Sequence, residues 1–193
     1  MSPLKTIKNQ AVGGTGGGQA AGNLKSVDVT FTTLPGTLAE FMTLPQAELT
    51  NSFDTVASLV AALCAYTNDK DECTAIINYL KGPEPMSQRD IIFLRDRMAQ
   101  NNKAPFIGLS YFNGASPQND YTPDIPYTIS VSEHPYSYTS EGVISLHVKS
   151  AGADSPRAVA VRQAKDGKWY LWLTGYHSLL ADIRPPESSN PWK

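Results

Sequence analysis

The chain has 193 residues, 41% of them apolar and 18% charged, with a formal net charge of -2; that is enough for one domain with a sizeable core, and too apolar for a disordered chain. The charge balance lacks the basic excess of a duplex-binding surface, so nucleic acid is not expected as a partner. No eighteen apolar residues follow one another and no secretory apolar run stands behind residues 1–10, so no membrane contact is read and a cytoplasmic location is expected.

Residues 11–23, AVGGTGGGQAAGN, hold six glycines and no charge. They lack the Lys-Ser/Thr that closes a phosphate-binding loop, and Gln19 stands where a dinucleotide fingerprint needs its third glycine. Such composition does not repay its ordering entropy. Residues 1–23 therefore read as a flexible arm or linker, and residues 24–193 as one domain.

Alternation of Val27, Val29 and Phe31 in VDVTFTT predicts a half-buried strand, ended by the Pro35-Gly36 turn. Residues 37–42 and 45–49 read as short helical pieces. A longer helix follows behind the cap candidates Asn51 and Ser52, with Phe53, Val56, Val60 and Leu63 on one stripe. A second starts near Asp69, carries Cys73, Ile76, Ile77 and Leu80, and stops at Gly82-Pro83. A third opens on Ser87-Gln88-Arg89-Asp90, close to a capping box, and runs through Ile91, Leu94 and Met98. All three read as amphipathic. Cys64 and Cys73 read as reduced, buried thiols.

Residues 110–129, SYFNGASPQNDYTPDIPYTI, form an irregular crossing rich in tyrosine and proline. The period then becomes 2, with strands expected at 127–131, 143–149, 158–163 and 168–173, the last two joined by an Asp166-Gly167 hairpin signal. Ile144, Leu146, Val148, Val159, Val161, Trp169, Leu171 and Leu173 are the expected core positions. A block of helices followed by consecutive strands gives an α+β fold, an N-terminal helical block packed on a four- to five-stranded antiparallel β-meander.

His134, His147 and His177 show no metal-ligand spacing, so no metal site is expected. Ser155 lacks a nucleophile elbow. In Asp154-Ser155-Pro156-Arg157 the turn would place Arg157 at a strand entrance. It would pin the hairpin through Asp154 or a helix carboxylate, or else receive an anion together with Arg162. Tyr111 and Tyr121 in the crossing, and Tyr170 and Trp172 in the last strand, are residue types common on recognition surfaces.

The strings SYFNGASPQNDYTPDIPYT, GADSPR and IRPPESSNPW, in that order and with LAEFMTLPQAEL, ALCAY and NYLKGPEPMSQRD upstream, resemble a bacterial family of domains of unknown function. That family is found chiefly in Firmicutes and other gut-associated bacteria, and its spacing would read SYFxGAxPxNxYTPxxPYT and IRxPxxxxPW here. The resemblance implies one compact domain of bacterial origin and no assigned activity, so no catalytic residue transfers. The expected function is a non-catalytic binding or protein-interaction module without cofactor. Its candidate ligand-binding residues are Tyr111, Asn113, Tyr121, Asp154, Arg157, Arg162, Tyr170 and Trp172. The alternative is a small hydrolase or transferase with an Asp/Arg-lined site near the 110–127 loop and the 150–157 hairpin. The sequence does not separate a protein partner from a small polar ligand and carries no signal for oligomeric state.

Overall fold

Val29 and Phe31 are buried and Asp28 and Thr30 exposed along β1 (Ser26–Phe31), as the alternation requires. The computed structural model in which this is seen describes residues 24–138 and 140–192. The arm expected over residues 1–23 lies outside the described residues.

The helical block follows, and each helix begins on a side chain that satisfies its free N–H groups. Thr37 caps the short α1 (Leu38–Phe41) by accepting from the Glu40 N–H. Asn51 caps α2 (Ser52–Ala65), and Asp69 caps α3 (Lys70–Lys81) through the Asp71 and Glu72 N–H groups. Ser87 and Asp90 form a reciprocal capping box at the start of α4 (Gln88–Ala99). Gly82 ends α3 with φ 59, a conformation that favours glycine. A Cβ there would also clash with the Tyr170 ring, at 2.4 Å from two of its carbons.

One helix departs from expectation. α2 is buried on nearly every side, including Thr55, Ala57, Ser58, Ala61 and Ala62. Asp54 is its only charged residue, and its run of small side chains lets α3 pack on it from one side and the sheet from the other. A helix without a polar face is a core helix. Fully burying Val56, Leu59, Val60 and Leu63 contributes about 1.5–3 kcal/mol each before entropy is counted.

The sheet contains β2 (Tyr127–Ser132), β3 (Val143–Val148), β4 (Arg157–Gln163) and β5 (Trp169–Leu171), in the order β1-β2-β3-β4-β5, all antiparallel. This is the α+β architecture expected. Its seams differ in length. β1 pairs with β2 from Ser26↔Ser132 to Phe31↔Tyr127, and β3 with β4 from Val143↔Arg162 to Val148↔Arg157. Between β2 and β3, Val131↔Val148 and Ser132↔His147 are the register pairs among the described residues.

Leu173 was an expected core position but is 55% exposed, with φ 51. The strand stops at Leu171 because the chain turns. The Trp172 N–H donates to the Ala160 carbonyl, and the Gly175 N–H returns to the Trp172 carbonyl.

The crossing at 110–127 is ordered by its own bonds. Ser116 and Asn119 form a capping box on the turn Pro117–Asn119, and Asn119 Nδ2 donates to the carbonyls of Gly114 (2.8 Å) and Thr122 (3.0 Å). Phe112 and Tyr121 point into the core. Cys64 and Cys73 are unpaired thiols, and burial pushes Cys73 up to about 12. Among the described residues no helix is long and apolar enough to cross a membrane.

Candidate functional site

The eight candidate residues fall into two groups, and β4 explains why. Arg157 and Arg162 stand at its two ends, five residues apart, which at about 3.4 Å per residue is roughly 17 Å. They do not converge on one ligand.

At the Arg157 end the side chains are occupied by the protein itself. Tyr111 is buried and its hydroxyl donates to the Leu179 carbonyl at 2.8 Å. Burial pushes its phenol above the usual range, and the Arg157 guanidinium beside it offsets part of that. Tyr121 is fully buried, stacked on Phe106 with ring centroids 5.4 Å apart, and donates to the Arg184 carbonyl at 2.6 Å. Arg157 Nη2 donates to the Asp182 carbonyl at 2.9 Å. Asp154 pairs with Arg184, so the hairpin pin expected between Asp154 and Arg157 is replaced by two ties to the C-terminal segment. Asn113 is exposed, and its backbone N–H donates to the Thr128 carbonyl while its own carbonyl accepts from Asp124.

At the other end Arg162, Tyr170 and Trp172 come together. Arg162 and Tyr170 are register partners across β4 and β5, and the Arg162 guanidinium carbon lies 4.3 Å from the Trp172 ring centroid. The Tyr170 hydroxyl donates to Asp166 at 3.0 Å, and this bond to the carboxylate adds to burial in holding the phenol above its usual range. With the end of α3 these residues enclose a groove of about 320 Å³, lined also by Lys81, Pro83, Glu84, Gln163, Ala164 and Leu171.

Lys81 is the residue that sequence reasoning missed. It is 5% exposed, yet among the described residues its ammonium donates to the Leu173 carbonyl alone, at 3.0 Å. Among the described residues no carboxylate lies within ion-pair distance of it. Its signal was in the register: Cys73, Ile77 and Lys81 recur at i, i+4 and i+8, which puts a cation on the apolar stripe of α3 one residue before Gly82.

Behind Lys81 sits a polar cluster on the start of α4. The Lys81 ammonium is 5.8 Å from the Tyr176 ring centroid, and His177 Nε2 is 3.5 Å from Asp90 Oδ1. Burial works against ionising Asp90, but bonds from Ser87 and the charges of His177 and Lys81 outweigh it and hold the carboxyl below its usual range. His177 stacks on Phe93 at 4.1 Å, and burial lowers its ring below the ordinary value, with Asp90 offsetting part.

The other two histidines also stack. His134 and His147 have centroids 3.9 Å apart, over the short β2–β3 seam. His134 Nδ1 accepts the Tyr136 N–H, which puts the ring proton on Nε2. That nitrogen is buried with no acceptor among the described residues. No group of three or more potential ligands that could hold a metal ion occurs among the described residues.

No curated protein and no solved structure matches the chain. A family model matches residues 33–187, beginning just after β1, and the chain belongs to that family, which is described as a domain of unknown function (DUF6935).

Proposed function

We propose that the domain is a non-catalytic binding module that takes an anion in the groove between the end of α3 and the β4–β5 hairpin. The observation that carries this is Lys81, a buried ammonium with one backbone acceptor and no carboxylate in contact among the described residues. A buried charge with no counter-ion in contact is costly, and proteins resolve it by pairing; Asp90 feels the Lys81 charge but lies beyond ion-pair distance of it. The groove offers the place for a counter-ion. On the same groove the Arg162 guanidinium rests against Trp172, and no described residue accepts a hydrogen bond from its fork. A planar fork presents paired donors to a carboxylate or phosphate.

Thermal unfolding at constant ionic strength tests this with acetate, inorganic phosphate and 3-phenylpropionate as probes. At least one should raise Tm saturably, and both Lys81→Met and Arg162→Gln should remove that rise. Lys81→Met by itself should leave Tm unchanged or higher, because it removes a buried charge and keeps the volume. If none of the three anions gives a saturable rise, the groove is not an anion site.

A further inference from the structure

The walls of the groove say more than its charge does. Trp172, Tyr170, Leu171, Pro83 and Ala164 supply flat or apolar surface around the two cations, and Glu84 is the one acidic residue on the lining. Tyr170 is held in place by the Asp166 bond and by its fit over Gly82, and Trp172 by its backbone bond to Ala160. The Tyr170 ring is thereby held, and the Trp172 ring has the Arg162 guanidinium against it. A small inorganic anion would satisfy Lys81 and Arg162 and leave those walls wet. A ring carrying one carboxylate would cover both, and about 320 Å³ is near the lower size of small-molecule sites, room for one ring and a short acid chain.

We infer that the ligand is an aromatic monocarboxylate, its ring lying against Trp172, Tyr170 and Pro83, its carboxylate on Arg162 and Lys81. This rests on the anion-binding reading above. Glu84 sets the limit of one negative charge, since a second carboxylate on the ligand would meet its repulsion across the same groove. The same chemistry belongs to a free aromatic acid and to the C-terminal aromatic residue of a peptide.

Calorimetric titration of the full chain separates the elements. 3-Phenylpropionate should bind, with acetate, inorganic phosphate and 3-phenylpropionamide each weaker by about tenfold or more, the scale expected for losing an aromatic contact or a charge-assisted pair. Trp172→Leu should weaken 3-phenylpropionate by about tenfold more than it weakens acetate, with Tm confirming that the variant folds. Arg162→Gln, at an exposed position, should erase the preference for the acid over the amide. N-acetyl-phenylalanine, a peptide terminus in miniature, identifies a peptide source if it binds more tightly than 3-phenylpropionate and a free acid if it binds less tightly. Acetate or phosphate binding as tightly as 3-phenylpropionate would overturn the aromatic inference and leave the anion site standing. The amide binding as tightly as the acid would overturn both.

Discussion

Arg157 and Asp154 carry opposite charges three residues apart, and the molecule uses them for different work. Arg157 is half-buried and spends its guanidinium on the Asp182 carbonyl beside the Tyr111 hydroxyl, tying β4 to the returning C-terminal segment. Asp154 meets Arg184 at the surface, where its side chain is 91% exposed. Arg157→Ala should therefore lower unfolding free energy by about 1–3 kcal/mol, because a half-buried charged donor and its packing beside the buried Tyr111 hydroxyl are lost. Asp154→Ala should change it by less than about 0.5 kcal/mol, since water screens an exposed pair. Urea titrations of the two variants check this; equal losses would mean that Arg157 is no more structural than its neighbour.

Among the elements, the seam between β2 and β3 is the weak one. Its second register pair is Ser132↔His147, and His147 is the ring that His134 covers. Burial first, and His134 second, hold the His147 ring below its ordinary value of 6.5. The folded state thus binds fewer protons than the unfolded chain as the pH falls through that value. The stabilisation is complete above the ordinary value and is lost as acid is added below it. The nearest carboxylate to the pair in the chain, Glu133, is already engaged by the Tyr138 hydroxyl and the Lys25 N–H. Going from about pH 7.5 to about pH 5.5 should lower the urea midpoint and speed hydrogen exchange in β2 and β3 before the other strands. His147→Gln should remove the exchange response of β2 and β3 and leave part of the midpoint shift, because burial also lowers His177. The lowered carboxyls of Asp90 and Asp166 lose their contribution only at more acid pH, outside that window. Uniform exchange across all five strands would show that the seam is not the sensitive element.

The same elements show what could be read from residue order alone. Caps and breakers at Asn51, Asp69, Gly82 and Ser87 are local signals, and the helices begin and end on them. Strand positions followed from alternation for a similar reason, to within a residue or two. Surroundings were not local. Tyr111 and Tyr121 read as recognition residues by type, but the chain folds the crossing inward and gives both hydroxyls to carbonyls from the C-terminal segment, 68 and 63 residues away. The groove was half legible: Arg162, Tyr170 and Trp172 share a hairpin. Lys81 reaches it only through the packing of α3 against β5.

At the scale of the whole molecule, β1 is set apart by its route. It pairs with β2 along its full length, yet Phe31 and its partner Tyr127 are separated by the entire helical block. It is an edge strand, and the family match begins only after it ends. Among the described residues, residues 32–37 carry its covalent link to the helical block. Loop closure over such a span adds little cost beyond that of a shorter one, so the pairing is governed by local concentration of the strand rather than by chain geometry. β1 thus behaves as a ligand that the domain carries for itself. A chain starting at residue 34 should unfold at lower temperature and regain stability saturably when a peptide of residues 24–33 is supplied in trans, with Val29→Asp in the peptide abolishing the rescue because that position is buried. Fragment complementation of this kind, read by the concentration dependence of Tm, would make the first strand a removable part; no rescue at any peptide concentration would mean that it folds only as a continuation of the helices behind it.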